Sequence, residues 1–248
     1  MGCGELGRAA FAVIDAETTG LDPRVDRVVE IACLRVCGGR VVERFSSLVD
    51  PRRPIPRSAS EIHGIFDRDV AGAPTLRRLR PRIERMTAGA IVVAHNARFD
   101  VGFLPFVAER PTLCTMALAR RLVDAPSYRN EALREYLRLK PARRGPAHRA
   151  ASDAEVTAAL LLELLRRFRS GPYEPTVSAL FMVVARRVEL ARFAFGTHRG
   201  KTLRAAPTPY LRWIIETGFE SWPDVRHTAI VELGRRARTV EGRAAVGS

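Results

Sequence analysis

The alternation of apolar and polar residues in the first half of the chain predicts strands that pair into a sheet. A short apolar run from about Phe11 to Asp15 ends at a glycine turn, as is typical of a buried central strand. Two runs between about Val28 and Val49 flank a turn at 37–40 and predict an antiparallel hairpin. A further buried strand at 91–96, IVVAHN, follows a helical pattern that begins near Thr75. The sheet is therefore expected to begin as a meander.

Helical periodicity dominates the next part of the chain. Strands that come first and helices that follow are typical of an α/β layer arrangement. The predicted helices lie at roughly 99 to 109, 115 to 123, 129 to 139 and 152 to 169.

The segment GPYEP at 171–175 is the strongest linker signal in the chain, because its glycine and prolines oppose both helix and strand. We expect a large domain at 1–170, a linker at 171–177 and a small α+β module at 178–240. The pattern there predicts helices near 177 to 190, 208 to 217 and 224 to 237, with a hairpin-like segment FAFGTHRGKTL between the first two. The tail at 241–248 is expected to fray.

The composition favours a folded protein that meets polyanions. The chain has 248 residues, 46% of them hydrophobic, with a formal net charge of +14. Nucleic acid is the commonest polyanionic partner, although a coding bias toward arginine explains the charge equally well. No run of 18 apolar residues and no basic amphipathic helix is found, so we expect a cytoplasmic protein that does not bind membranes. The four cysteines fit neither a zinc site nor a disulfide framework.

Two carboxylates stand at the end of the first predicted strand. Asp15 and Glu17 are two residues apart, so on an extended strand they point to the same side and can hold a divalent cation together. An isolated pair of this kind is more often simply solvated. Here the preceding residues are apolar, and a carboxylate pair at the tip of a buried strand needs cations or hydrogen-bond donors nearby.

Two later segments carry further acids. HNARFD at 95–100 follows a strand directly, so Asp100 can reach the first pair if the two strands are neighbours. HRAASD at 148–153 places His148 five residues before Asp153, at the entry of a long helix. The alternatives are a helix N-terminal acid for Asp100 and, near Asp153, a capping box formed by Ser152 and Glu155.

Together, DAETTG, HNARFD and HRAASD resemble the motifs of the DEDD superfamily of 3′-to-5′ exonucleases, in the subtype that uses histidine. The segments IHGI at 62–65 and CTMALARRL at 114–122 also look like features of this family, so the resemblance covers about residues 8 to 170. One departure is SYRNEALREYL, where the family usually has a leucine at about Asn130 or Glu131. The resemblance implies a ribonuclease H-like fold with a mixed sheet and flanking helices.

The resemblance also implies roles for the acidic residues. Asp15, Glu17 and Asp153 would hold one metal ion, and Asp15 would bridge to a second ion supported by Asp100. Mg²⁺ or Mn²⁺ is expected at both positions, and the two ions would stabilise the attacking and leaving oxygens of a phosphodiester. His148 would accept the proton of the attacking water.

The same resemblance implies a grip on the terminal nucleotide of a strand. The residues after Glu17 would form it: Thr18, Thr19, Gly20 and Leu21. Leu21 would pack against the last base, and backbone groups near Thr18 would meet the 3′-hydroxyl. His95, Asn96 and Phe99 are further candidate strand contacts.

The segment beyond the linker resembles the small C-terminal module of bacterial exodeoxyribonuclease X and related exonucleases. Arg199 and Lys201 would lie at a turn there and are candidate phosphate contacts. The leading prediction is a 3′-to-5′ exonuclease that acts on DNA 3′ ends in repair or proofreading, either alone or with a DNA polymerase. An exoribonuclease of the same superfamily and a nucleic-acid-binding module without catalysis are the alternatives.

Overall fold

The computed structural model describes residues 6–143, 145–193, 197–217 and 223–246, with side chains described as far as Arg238. A mixed sheet lies at the centre of the larger part. Its strands are β1 Phe11–Thr18, β2 Val28–Cys37, β3 Arg40–Leu48, β4 Ile91–Ala94 and β5 Thr112–Cys114. The spatial order is β3-β2-β1-β4-β5. The first three strands pair antiparallel, as the predicted meander requires, whereas β4 and β5 run parallel to β1.

Helices cover both faces of this sheet. In chain order they are α1 Arg57–His63, α2 Asp67–Val70, α3 Leu76–Thr87, α4 Ala97–Phe103, α5 Thr115–Leu122, α6 Asn130–Tyr136, α7 Ala150–Ser170 and α8 Val177–Ala185. The predicted α/β architecture, a ribonuclease H-like mixed sheet with flanking helices, is confirmed. None of the helices within the described residues is both long enough and apolar enough to cross a bilayer.

The alternation of side chains along β1 decides where the acids point. Phe11 and Val13 pack into one core with α5 and α7, while Ala12 and Ile14 pack into a second core with α3. Because successive residues of a strand face opposite sides, Asp15 and Glu17 continue the face of Phe11 and Val13. The two acids therefore leave the sheet on the side that α7 covers.

Two helical predictions differ from the structure at their ends. The helix expected at 99–109 is α4, which ends at Phe103 and is followed by a 3-10 turn at Pro105–Val107. Pro105 carries no N–H and cannot continue the α-helical ladder. The capping box of Ser152 and Glu155, the alternative for this segment, is not formed, because α7 begins at Ala150 and the side chain of Glu155 is buried against Arg44.

The chain divides into two compact units at 184/185. This boundary lies later than the predicted linker at 171–177, because Leu180 and Val183 of α8 are buried in the core of the first unit. The second unit contains a 3-10 turn at Leu203–Ala205, helix α9 Thr208–Glu216 and helix α10 Pro223–Val246. Thus the tail expected to fray from 241 is helical as far as Val246, and 247–248 lie outside the described residues.

Residues from all these secondary elements form a separate core in the second unit. Of the predicted hairpin at 193–203, residues 194–196 lie outside the described residues, and the described part contains a single bridge between Arg192 and Thr202.

Candidate active site

The structure brings Asp100 to the end of β1. β1 and β4 are parallel neighbours, with Val13 opposite Val93. Asn96 then adopts a left-handed backbone with φ 67°, which asparagine tolerates better than most residues and which turns the chain into α4. The Asp100 carboxylate is buried and accepts a hydrogen bond of 3.1 Å from the Ala16 backbone N–H.

Asp153 enters the same region from the first turn of α7. Its Oδ2 accepts a hydrogen bond of 3.0 Å from the His148 backbone N–H. Ligand atoms of Glu17, His148 and Asp153 all lie within 4.8 Å of one another. Three segments far apart in sequence thus converge at one end of the sheet.

The carboxylates raise each other's pKa. For Asp15, burial and then the charges of Asp100 and Asp153 raise the pKa well above its ordinary value. Burial, followed by the charge of Asp153, raises the pKa of Glu17 to about 8. Burial likewise raises the pKa of Asp100 to about 8, although its hydrogen bond from Ala16 opposes the shift. Crowded carboxylates of this kind favour a bound cation, since opposite charge stabilises their ionised forms.

The donor set fits a divalent cation. Carboxylate oxygens are the ligands that Mg²⁺ and similar hard cations prefer, and the three-residue group adds one imidazole. Asp15 and Asp100 lie outside that 4.8 Å group among the described residues, but the charges of Glu17 and Asp153 raise the pKa of Asp15, and the charge of Asp100 raises that of Glu17. Asp15, Glu17, Asp100 and Asp153 together form an anionic pocket in which a cation offsets the mutual repulsion.

His148 lies at the solvent side of this pocket. Its side chain is exposed, and its backbone is left-handed with φ 57°, a conformation that costs a non-glycine residue about 1–3 kcal/mol. The hydrogen bond to Asp153 holds the segment in this form. An exposed imidazole beside the carboxylates can exchange protons with water at the site.

Glu30 and Arg149 were not predicted as site residues, yet they fix the His148 segment. Glu30 lies opposite Glu17 in the β1–β2 ladder and is buried. Its carboxylate accepts hydrogen bonds from Arg149 Nε at 3.0 Å, from Arg149 Nη2 at 2.8 Å and from the Ala150 N–H at 2.9 Å. A lone acid inside the apolar run VVEIA was the available signal, because a buried carboxylate needs a partner.

Asn130 also supports the site from outside the predicted set. Asn130 donates from Nδ2 to the Asp153 carbonyl at 3.2 Å and to Thr157 Oγ1 at 3.1 Å, so it ties α6 to the start of α7. His63, from the IHGI segment, is buried, and burial lowers its pKa. The departure from leucine near Asn130 therefore coincides with a polar link to the site.

The loop after Glu17 is held by its own hydrogen bonds. Thr18 Oγ1 donates to the Gly20 carbonyl at 2.6 Å, and Thr19 Oγ1 donates to Asp26 at 3.0 Å. A Cβ on Gly20 would overlap the Asp26 carboxylate, so only glycine fits there without displacement of the Asp26 side chain. Leu21 is 84% exposed at the tip of this loop. The side-chain hydroxyls are thus used within the protein, while the leucine is free to contact a ligand.

The remaining candidate strand contacts differ in how far their side chains are exposed and in the partners that they already have within the protein. Both ring nitrogens of His95 are engaged, at 3.0 Å with Thr115 Oγ1 and at 2.8 Å with the Tyr128 carbonyl, and burial lowers its pKa to about 4. Both ring nitrogens are therefore already used within the protein. Phe99 is half-buried and packs against Phe103 with ring centroids 5.1 Å apart. In the second unit, Arg199 and Lys201 are both exposed.

Comparison with known proteins identifies the first unit. The family model described as Exonuclease matches residues 12–161. DNA polymerase III PolC-type from Thermotoga maritima is 37% identical over 172 residues, covering 66% of this chain and 12% of the polymerase. The 3'-5' exonuclease DinG of Bacillus subtilis is 32% identical over 184 residues, covering 71% of this chain and 19% of DinG. The chain thus spans less than a fifth of the length of these two relatives.

Solved structures agree with this match. Exonuclease X in complex with 5′ overhanging duplex DNA is 35% identical, with a TM-score of 0.59, and covers 71% of this chain and 99% of that one. E. coli Exonuclease I in complex with a dT13 oligonucleotide shares the fold, with a TM-score of 0.58 at 19% identity. The match covers 66% of this chain and 42% of the Exonuclease I chain.

Proposed function

Because the chain belongs to the exonuclease family, we propose that it is a metal-dependent 3′-to-5′ exonuclease that shortens DNA from its 3′ end and releases nucleoside 5′-monophosphates. The observation that carries this proposal is the convergence of Asp15, Glu17, Asp100 and Asp153 beside an exposed His148. The similarity to the 3'-5' exonuclease DinG supports digestion from the 3′ end, and the similarity to Exonuclease X in complex with DNA supports DNA as the substrate.

The acids would hold Mg²⁺ or Mn²⁺. We propose that Asp15, Glu17 and Asp153 hold one ion and that Asp15 and Asp100 hold a second. When bound, the two ions would stabilise the charge on the attacking and leaving oxygens of the phosphodiester. Two ions suit the site because four acids share it and burial raises the pKa of each one.

His148 would take the proton from the attacking water. Its ring lies within 4.8 Å of the Glu17 and Asp153 carboxylates, so it can reach the water side of the site while remaining exposed to solvent. Arg149, pinned by Glu30, would keep the His148 backbone in place between turnovers. The proton can then pass to solvent without rearrangement of the buried acids.

The loop that follows Glu17 would position the terminal nucleotide. We propose that the exposed Leu21 packs against the last base and that backbone groups at Thr18 and Thr19 face the 3′-hydroxyl, with Gly20 allowing close approach. Asn96 and Phe99 would contact the strand near α4, and Arg199 and Lys201 would contact phosphates in the second unit. Contacts to sugar and phosphate carry little sequence information, so weak base preference is expected.

The cellular role would follow from the substrate. Similarity to PolC-type polymerases suggests proofreading beside a DNA polymerase, whereas similarity to Exonuclease X suggests a freestanding repair enzyme. Either role would place the protein in the cytoplasm with the DNA.

The test compares three substrates in parallel. Single-stranded DNA, duplex DNA and RNA of equal length, each labelled at the 5′ end, are incubated with the full chain and Mg²⁺. The proposal predicts progressive shortening of DNA from the 3′ end, with RNA degraded far more slowly. Equal or faster degradation of RNA would instead assign the site to an exoribonuclease.

A further inference from the structure

The second unit contains a groove lined by arginine. Arg204 comes from the 3-10 turn, and Arg235, Arg236 and Arg238 come from α10; with Glu232 they line a groove of about 590 Å³, which we call the arginine groove. Four guanidinium groups thus face a single carboxylate.

One arginine builds the groove and is not available to a ligand. Arg236 donates to Glu232 at 3.1 Å, to Thr208 Oγ1 at 2.8 Å, and to the backbone carbonyls of Arg204 at 3.0 Å and Ala206 at 2.9 Å. These bonds join α10 to the start of α9 and to the 3-10 turn. The shape of the groove is therefore fixed before any ligand binds.

The remaining positive charge is only partly balanced. Glu232 is used by Arg236 and lies 3.8 Å from Arg235, which also pairs with Glu189 at 2.7 Å. Arg204 and Arg238 are exposed and form no ion pair with another described residue. Among the side chains that the structure describes, these two guanidinium groups therefore lack a carboxylate partner and can bind an anion.

A general excess of arginine does not account for this arrangement. On helices of the first unit, arginines commonly lie one turn from a glutamate and pair with it, as Arg57 does with Glu61 and Arg80 with Glu84. In the arginine groove, two arginines of α10 pair with Glu232, and Arg238 of the same helix and Arg204 of the 3-10 turn line the groove beside them. The positive charge is concentrated by the fold.

The groove suits a chain of phosphates better than one small anion. Guanidinium groups match phosphate oxygens with paired, charge-assisted hydrogen bonds. At about 30 Å³ per water, the volume corresponds to roughly twenty water molecules, so a single phosphate would leave most of it hydrated. Consecutive phosphates of a strand would fill it and meet several guanidinium groups at once.

We propose that the arginine groove binds the phosphodiester backbone of a nucleic-acid strand, as a contact region additional to Arg199 and Lys201 and to the candidate active site. Arg204 and Arg238 bind the phosphates directly, and Arg236 holds the groove in shape. This inference rests on the proposed function for its substrate class. Its test measures binding and not hydrolysis, so either proposal can fail without the other.

The test is the salt dependence of binding. A 5′-fluorescent oligothymidylate is titrated with the full chain in EDTA, which prevents metal-dependent hydrolysis, between about 50 and 200 mM KCl. Each phosphate contact to a single strand contributes about 0.7 to the slope of log K against log salt. The double variant Arg204→Ala/Arg238→Ala should therefore bind more weakly and with a slope smaller by about 1.4.

A matched control removes the same charge elsewhere. Arg40 follows the β2–β3 turn, and Arg169, near the end of α7, lines a hollow together with Gly39. Both lie at the end of the sheet where β1 begins, opposite its acidic end, and both are exposed. Arg40→Ala/Arg169→Ala should keep the wild-type slope.

Two results would overturn the proposal. One is an equal slope for the groove variant and the control, with circular dichroism confirming that both are folded. The other comes from competition experiments. Inorganic tripolyphosphate would displace the labelled oligonucleotide from wild type at a lower phosphate concentration than unlabelled oligothymidylate does, and the groove variant would show no such difference between the two competitors. The second result would make the groove a site for small polyphosphates.

Discussion

The Asp15 carboxylate has the most anionic surroundings among the site residues. Burial raises its pKa most, and the charges of Asp100, Asp153, Glu17 and Glu30 raise it further, in decreasing order. Burial of several carboxylates destabilises the protein unless a cation or a hydrogen-bond donor offsets their charge. The same crowding that strengthens cation binding therefore lowers the stability of the folded protein without a cation. Catalytic sites commonly have this property.

His148→Gln tests the proton acceptor. Glutamine cannot accept and release a proton at neutral pH, so turnover should fall by roughly 10²- to 10⁴-fold, the usual contribution of a positioned base. Metal binding should persist, because the four carboxylates remain. Steady-state kinetics across pH is the measurement: the wild-type rate should fall on acidification, and the variant should keep only the part of this fall that protonation of the carboxylates causes. Full turnover in the variant with an unchanged profile would reduce the catalytic assignment to the four acids.

Glu30→Gln tests a residue that positions the His148 segment without touching the substrate. Glutamine keeps the size of the side chain but leaves Arg149 without its counter-ion, so the segment should move. A displacement of about 1 Å can lower a rate on the order of 10²-fold. We expect kcat to fall by about 10- to 100-fold with little change in KM, and Glu30→Asp to restore part of the loss.

Glu155→Gln is the matched control for this prediction. Glu155 is as buried as Glu30 and also pairs with one arginine, Arg44 at 2.6 Å, on the same helix as Asp153. Both variants should lose stability in thermal unfolding, because each breaks a buried ion pair. Only Glu30→Gln should have a lower kcat. An equal decrease of kcat in both variants would mean that Glu30 acts through stability alone.

The sequence predicted the acids themselves better than the residues that hold them. Strand alternation placed Asp15 and Glu17 on one face, and the rule that parallel strands end at the same edge of a sheet placed Asp100 near them. Glu30 and Asn130 could not be assigned in this way, because their partners Arg149 and Asp153 are 119 and 23 residues away. Strand pairing and helix packing determine those contacts.

Among the secondary elements, long periodic segments were predicted best. The β2–β3 hairpin and α7 agree with their predicted positions within a few residues. β5 was not predicted, since Thr112–Cys114 has only three residues and depends on pairing with β4. The helix predicted at 177–190 is shorter in the structure and ends at Ala185.

Helix α8 provides a test of the domain boundary. Leu180 and Val183 are buried in the first core, so a chain ending at Ser170 loses both, whereas a chain ending at Arg187 keeps them. Loss of a large buried aliphatic side chain costs about 2–5 kcal/mol. The shorter chain should unfold at lower urea concentration than the longer one, measured by circular dichroism. Equal midpoints would place the boundary at the predicted linker and leave α8 outside the stabilising core.

At the scale of the whole molecule, the acidic site should make stability depend on pH and on divalent cations. Glu17 and Asp100 have pKa values raised from 4.5 and 3.8 to about 8. The folded state therefore binds protons more tightly than the unfolded state, so this contribution is complete below about pH 4 and is lost as the pH rises toward 8. Without divalent cations, the free energy of unfolding should decrease over that range.

Asp100→Asn isolates this effect. The amide oxygen can still accept from the Ala16 N–H, but the buried charge is removed. In EDTA near pH 8 the variant should be more stable than wild type, because wild type must then carry part of the charge of a carboxylate whose pKa burial raises to about 8. Urea unfolding in EDTA near pH 5 and pH 8 measures the difference, which should be smaller at the lower pH.

Glu135→Gln, at a side chain that is 73% exposed, is the control and should follow wild type. Mg²⁺ should raise the stability of wild type more than that of Asp100→Asn. If the difference in free energy of unfolding between wild type and Asp100→Asn does not change with pH, the claim that the clustered carboxylates destabilise the folded protein is wrong.

The most direct test of the central claim is product analysis on single-stranded DNA labelled at its 5′ end, with wild type and Asp15→Asn compared in Mg²⁺ and in EDTA. Asparagine at position 15 removes the charge that both proposed metal positions share while keeping the side chain's size. With Mg²⁺, wild type should give a ladder of progressively shorter labelled strands together with nucleoside 5′-monophosphates, while Asp15→Asn in Mg²⁺ and wild type in EDTA should give neither. Undiminished hydrolysis in EDTA, release of 3′-monophosphates, or internal nicking of a circular single strand would contradict the assignment.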